Sequence, residues 1–427
     1  MFQLTHAGCA TRRYNGYQPD VVSIEAGISS RDNVFVTYTP GCKVDLASDP
    51  TPACFCCEPL NPGFADAVAA ASSAQVAVVV VGTYAGVESN GVDRSDLLLP
   101  GEQANLIRAV SVTGTPVVVV MVNGGPLLLA DDDGDVTGLV HAVVEAWYGG
   151  EEAGNGVADV RALWLWLCGC GCGCGCGCGC GCGCGCGCMV LMLSSLTLHA
   201  CMLNHTSVCV CVCHPQVLFG TVNPSGRLPV TFYDGVSQLP PFSDYSMTAP
   251  PGRTYRYLQP TTVPQYLFGY GLSYTTFQYS ALVVSPSTAG PCDDVRVTVS
   301  VKNTGSVAGT AVVQLYVSVP TQASTATPRL SLQGVQRQML SPGDSDILTF
   351  TLQPRQWSTV LNNGTRTIAV GNYSVHVGGH QPGDRLGAAE SNVVAGSFQV
   401  KGPAGVVEGV HGYDVALVRG RVVGVWL

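Results

Sequence analysis

The chain is predicted to fold as an incomplete, open, mostly parallel α/β sandwich domain followed by an all-β sandwich, with a low-complexity insertion inside the first domain. Three observations carry that expectation. Val76–Val81 and Pro116–Val122 are continuous, mostly β-branched runs of the kind that form strands buried on both faces, and Glu102–Val112 between them places Ala104, Ile107, Ala109 and Val110 at helical spacing. Beyond Phe277 the texture changes to short alternating strands separated by polar turns. Residues 161–217 fit neither texture, since Cys168 to Cys188 alternate cysteine and glycine without a break and Val208–Cys213 alternates valine and cysteine.

Taken in order, Ala65–Ala74 is alanine-rich and predicts a helix, and the strand at Val76–Val81 is closed by Gly82. A long loop ending in Pro100-Gly101 leads to the helix at 102–112 and then to the second buried strand. Val136–Trp147 reads as a short helical turn running into a third strand. Alternation of this βαβ kind gives an open, mostly parallel sheet. In the second half, Val295–Val301, the turn Asn303-Thr-Gly305 and Ala311–Val317 read as part of a hairpin-rich sandwich, which Leu348–Leu352 and Gly371–Val377 extend. The expected organisation is a remnant segment over 1–20, the α/β domain over 21–160 and 218–276, the insertion at 161–217 without structure of its own, the β-sandwich over 277–400 and a tail over 401–427.

Composition narrows the function. A net charge of −9, with no basic stripe, argues against a nucleic-acid partner, because phosphate binding relies on clustered Lys and Arg. The continuous apolar stretches fall well short of the roughly 20 residues a membrane span needs. Fifteen of the 21 cysteines lie between Cys168 and Cys213. Zinc sites pair cysteines about two to four residues apart across a fold, so strict alternation reads as a translated nucleotide repeat rather than a metal site. Cys9, Cys42, Cys54, Cys56, Cys57 and Cys292 remain and fit a few disulfides in an oxidising compartment, and the sequons Asn363-Gly-Thr365 and Asn372-Tyr-Ser374 lean the same way. Met1 is followed by neither a basic start nor an apolar core, so no signal peptide is visible. A secreted-looking body without a leader is expected to have lost an N-terminal portion, the intact protein being extracellular.

Several clusters are set aside on spacing. Asp131, Asp133 and Asp135 alternate as calcium ligands do, but Val136 stands where the turn glycine belongs and Ala142 where the bidentate glutamate belongs. His376 and His380 are separated by Val-Gly-Gly at a strand end, a poor frame for a metal site. The loop from Gly82 to Gly101 is the place where an open α/β sheet presents functional groups, at the carboxyl ends of its strands. Glu88 in that loop is a candidate general acid, although a carboxylate on a glycine-rich loop is ordinarily just solvated. Asp93 with Arg94 reads as a loop-bracing ion pair.

These residues then fall into a known pattern. Glu88-Ser-Asn-Gly-Val-Asp-Arg94 with Leu98-Leu-Pro-Gly101, Asn123-Gly-Gly-Pro126, Trp147-Tyr-Gly-Gly150, Asn223-Pro-Ser-Gly-Arg-Leu-Pro229, Gly252-Arg-Thr-Tyr-Arg256 and Phe268-Gly-Tyr-Gly-Leu-Ser-Tyr274 resemble, in order, the carboxyl-terminal α/β domain of glycoside hydrolase family 3, nearest its β-xylosidase and α-arabinofuranosidase branch. The segment after Phe277 resembles the fibronectin type III-like domain that ends many members. Ala158-Asp-Val160 would continue at Leu218-Phe-Gly220, so excision of the Cys/Gly block would restore the family's element without a gap.

The resemblance implies retaining hydrolysis of a terminal β-linked sugar, such as xylose from cell-wall glycan, by two carboxyl groups roughly 5 Å apart and without metal or organic cofactor. Glu88 matches the family's acid/base, and Asp93 and Arg94 would hold its loop. The xylosidase-like branch has a second glutamate where this chain has Asn90, which leaves Glu88 as the glutamate candidate. The family's nucleophilic aspartate belongs to an N-terminal barrel of about 250 residues, and no such stretch precedes Phe64. Residues 1–427 alone are therefore expected to be inactive. Two other classes remain open at this point: a non-catalytic carbohydrate-binding or scaffolding protein, and a Cys-rich metal binder. Tyr255, Tyr270 and Tyr274 are expected to brace the contact between the two domains.

Overall fold

A computed structural model describes residues 21–31, 33–41, 62–84, 87–88, 91–150, 152–159, 165–169, 187–191, 199–203, 207–211, 223–321, 326–383 and 392–408. The chain divides into two compact units, Met1–Ser225 and Gly226–Leu427.

In the first unit, helix α1 (Ile24–Ser29) starts at Ser23, whose Oγ accepts the Ala26 N–H and so satisfies one of the donors a helix start leaves open. Then follow α2 (Pro62–Ser72), β1 (Ala77–Gly82), α3 (Gln103–Ser111), β2 (Val117–Val122), the small hairpin β3 (Ala130–Asp131) and β4 (Gly134–Asp135), β5 (Ala142–Glu145) and α4 (Ala153–Asp159). The sheet order is β1-β2-β5 and both pairings are parallel, with Val79 opposite Val119 and Val119 opposite Val143.

The unbroken valine run of β2 forms a central strand that is buried along nearly its whole length, whereas β1 leaves Val78 exposed and β5 is only partly covered. On one face Val79, Val81, Val117, Val119 and Met121 pack with Ala67 and Ala71 of α2 and Ala104, Ile107 and Val110 of α3. Val120 and Val122 pack on the other with Val157 of α4 and Ile24 of α1. Ile107 and Val119 are fully buried, each burial contributing about 1.5–3 kcal/mol. Helices α2 and α3 begin and end within a few residues of those predicted, α1 and α4 were not foreseen, and β5 follows a 3-10 turn at Thr137–Leu139 as its sequence implied.

Within the Cys/Gly block four five-residue strands appear, β6 (Leu165–Gly169), β7 (Gly187–Leu191), β8 (His199–Leu203) and β9 (Ser207–Cys211), ordered β7-β6-β8-β9. A block expected to lack structure thus carries strand pairing at its described residues.

The second unit opens with a largely irregular segment holding α5 (Thr254–Tyr257) and a bridge between Phe232 and Tyr266. The strands that follow are β10 (Phe277–Ser285), β11 (Thr288–Ala289), β12 (Val295–Asn303), β13 (Gly309–Ser318), β14 (Ser331–Leu340), β15 (Ser345–Leu352), β16 (Thr359–Val360), β17 (Arg366–Ile368), β18 (Gly371–Gly378), β19 (Val393–Val400) and β20 (Gly405–Glu408). They form sheets ordered β10-β12-β15 and β11-β19-β18-β13-β14, with a small β16-β17-β20 sheet beside them. Inward valines of β12 meet Val313, Leu315 and Val317 of β13 in a core anchored by Trp357, whose ring lies edge-on to Tyr373 and Phe398 at 5.3 Å.

One expectation is corrected here. The strands flanking Asn303-Thr-Gly305 do not pair as a hairpin: β12 joins β10 and β15, while β13 joins β14 and β18. Asn303 is buried at the crossing, accepting from Thr275 Oγ1 and Gly305 N–H and donating to Val307 O and Leu340 O. The segment before β10 is fastened to the sandwich by Tyr255, which stacks on Phe268 at 4.1 Å, stands edge-on to Tyr316 and accepts the Leu332 N–H at 3.2 Å. Tyr270 stacks on Tyr266 instead, and Tyr274 is half exposed.

Candidate active site

Three strand ends build the site. Thr83 follows β1, Asn123 and Gly124 follow β2, and Trp147 and Tyr148 follow β5, all at the carboxyl edge of the parallel sheet. Gly82 must be glycine: its φ is 150°, and a Cβ there would lie 1.8 Å from Val122 O. That close approach lets Thr83 donate its backbone N–H to Val122 O and brings its side chain inward, fully buried. The base of the long loop is closed by Gln103 at the start of α3. Its Oε1 accepts the Gly82 N–H at 2.7 Å, and its Nε2 donates to Gly82 O and Pro100 O.

Glu88 sits on a turn in which the Val87 and Glu88 N–H groups both donate to Tyr84 O. Its Oε1 accepts from the Gly124 N–H at 2.6 Å, from the Tyr148 hydroxyl at 2.9 Å and from Thr83 Oγ1. Oε2 pairs with Arg94 Nε at 3.0 Å, the two side chains being 17% and 15% exposed. Arg94 spends its remaining nitrogens on Pro126 O, at 3.2 Å each. Glu88 is therefore held by groups from all three strand ends and from its own loop. Space is tight: a Cβ on Gly124 would lie 2.9 Å from Glu88 Oε1 and 2.9 Å from Tyr148 Cε2.

The sequence placed Glu88 and Arg94 in this loop, and the geometry brings them together. Asp93 stands apart, exposed to solvent, and the ion pair of Arg94 runs to Glu88 rather than to its neighbour. Asn90 lies outside the described residues. Thr83, Gln103, Tyr148 and the Gly124 amide were not singled out from sequence. For Gly124 and Tyr148 the one signal was the place of Asn123-Gly-Gly and Trp147-Tyr just beyond expected strands. Glu145 ends β5 beside them, half-buried, its carboxyl pushed up to about 7 chiefly by desolvation.

Donors on one oxygen and a cation on the other hold this partly enclosed carboxyl in a single orientation at the carboxyl edge of the sheet, the fixed placement that proton exchange with a bound substrate requires. Among the described residues no group of three His, Cys, Asp or Glu is placed to hold a metal ion. The thiols between Cys168 and Cys213 lie outside the described side chains. Cys292 is an exposed free thiol, and the other five cysteines outside the block fall beyond the described residues.

Residues 6–161 and 214–274 match the glycosyl hydrolase family 3 C-terminal domain. The chain belongs to glycoside hydrolase family 3. The family match breaks over residues 162–213, where the Cys/Gly block lies, and residues 311–381 within the sandwich match a fibronectin type III-like domain. Relatives include a β-xylosidase of Formosa agariphila, 28% identical over 87% of this chain and 42% of its own length. A periplasmic β-glucosidase of Salmonella typhimurium is 31% identical over 67% of this chain and 30% of its own. Among solved structures, a β-glucosidase from Erythrobacter marinus superposes with a TM-score of 0.63 at 27% identity, covering 91% of this chain and 44% of that one. The chain thus spans less than half the length of each of these proteins.

Proposed function

We propose that this chain is the acid/base-bearing part of a retaining family 3 glycoside hydrolase, with Glu88 as the general acid/base. The observation that carries the reading is the convergence of Thr83, Gly124, Tyr148 and Arg94 on one loop glutamate at the carboxyl edge of the sheet. In the first step Glu88 would protonate the leaving glycosidic oxygen as a carboxylate nucleophile attacks the anomeric carbon; in the second it would take a proton from the water that releases the sugar. Arg94 supports Glu88 directly, whereas Asp93 acts only through the loop.

The substrate proposed is a terminal β-linked sugar, xylose before glucose, on an extracellular cell-wall oligosaccharide. The reading is supported by the β-xylosidase and β-glucosidase relatives and by the family-like run from Glu88 to Arg94. The nucleophile is proposed to come from outside these 427 residues, so the chain by itself is inactive. Aryl β-xyloside and β-glucoside hydrolysis by the purified chain tests this, with Glu88→Gln alongside. No turnover above the variant is expected, and turnover that Glu88→Gln abolishes would overturn the claim of inactivity.

A further inference from the structure

Glu145 lies between the two arms that reach Glu88. On one side its Oε1 accepts the Trp147 backbone N–H at 3.3 Å. Trp147 has φ of 54°, a left-handed conformation that a side-chain-bearing residue adopts only where its surroundings fix it. From that kink Tyr148 reaches back to donate to Glu88 Oε1. On the other side the Glu145 carboxyl adjoins the fully buried Asn123 side chain. Asn123 Nδ2 donates to Gly125 O at 2.8 Å and so shapes the turn whose Gly124 N–H is the second donor to Glu88.

Two acceptors are left over. Glu145 Oε2 and Asn123 Oδ1 are both sealed from water with no hydrogen-bond partner among the described residues. A buried acceptor without a donor is costly, and a proton on the Glu145 carboxyl would relieve that cost at Oε2.

We propose that Glu145 is a positioning residue for Glu88, its carboxyl fixing Trp147 on one side and Asn123 on the other, and thereby the Tyr148 and Gly124 donors that hold Glu88 Oε1. Desolvation works in the same direction, since a carboxyl pushed up to about 7 keeps its proton over much of the range where others have lost it. The consequence for catalysis rests on Glu88 being the acid/base; the placement of the two donors does not.

Backbone amide exchange at Gly124 in the full chain tests the inference, with the Val119 and Val120 amides of β2 as the control for intact folding. Glu145→Gln keeps an acceptor for Trp147 and supplies an N–H for Asn123, so exchange at Gly124 is expected to stay within about threefold of the parent. Glu145→Met fills the space without either group and is expected to speed Gly124 exchange at least about tenfold while the β2 amides stay protected. If Glu145→Met does not fold, Glu145→Ala carries the same expectation. Unchanged Gly124 exchange in the apolar variant, or a glutamine variant that behaves like it, would overturn the proposal. Either result leaves the acid/base reading standing, because exchange at Gly124 is independent of whether any glycoside is cleaved.

Discussion

Arg94 Nε lies 3.0 Å from Glu88 Oε2, and the rest of its guanidinium is spent on Pro126 O. The loop after β1 is thereby tied to the loop after β2 through the candidate acid/base. Because both side chains are mostly shielded, the pair is expected to couple by more than an exposed ion pair does. A double-mutant cycle with Glu88→Gln and Arg94→Ala, read by urea unfolding, should return about 1–2 kcal/mol of interaction. Additive effects would show that the pair carries no energy of its own.

Gln103 gives a stability prediction at the base of the loop. Its amide is buried and satisfies both backbone groups of Gly82, so Gln103→Leu strands them in an apolar setting. The expected loss is about 2–4 kcal/mol. A chemical-denaturation midpoint unchanged from the parent would contradict the assignment.

The Glu145 carboxyl gives a pH dependence with a definite sign. Its value rises from the ordinary 4.5 to about 7 on folding. The folded chain therefore holds the proton more tightly than the unfolded one. This contribution is full below pH 4.5 and is lost as pH rises through 7. Relative to Glu145→Gln, the parent should lose on the order of 3 kcal/mol of unfolding free energy across that window. Parallel profiles for the two proteins would show that Glu145 titrates normally.

Asn303 is the counterpart in the sandwich. Its amide makes four hydrogen bonds where β12 crosses to β13, and Asn303→Ala leaves their partners unpaired. A loss of about 2–4 kcal/mol is expected by thermal or urea unfolding; a loss below about 1 kcal/mol would mean that rearrangement satisfies those groups.

The parallel sheet was legible because Val76–Val81 and Pro116–Val122 are continuous β-branched runs and Glu102–Val112 has the helical period between them, although Val76 and Val78 are exposed where two-sided burial was expected. Strand partners in the sandwich were not. Alternation in β12 says which residues face inward, but it is the same whether β13 lies beside it or across the core. At the site, loop position pointed to Glu88, and Arg94 was read as bracing the loop with Asp93, whereas its ion pair runs to Glu88. Asp93 is adjacent in sequence, yet consecutive side chains on an extended loop diverge, whereas Glu88 is brought back by the turn at Tyr84. The roles of Tyr148 and the Gly124 amide could not be read from their motifs because they depend on which strand ends are neighbours, and the β1-β2-β5 order is a property of the sheet.

The central claim, that these 427 residues carry the acid/base carboxyl and not the nucleophile, is met most directly by intact mass after incubation with a 2-deoxy-2-fluoro-β-xylosyl fluoride. Fluoride leaves without help from an acid, so the reagent isolates nucleophilic attack, and the 2-fluoro group slows release of the covalent sugar. The account predicts an unchanged mass. A stoichiometric glycosyl adduct on a carboxylate of this chain would contradict it.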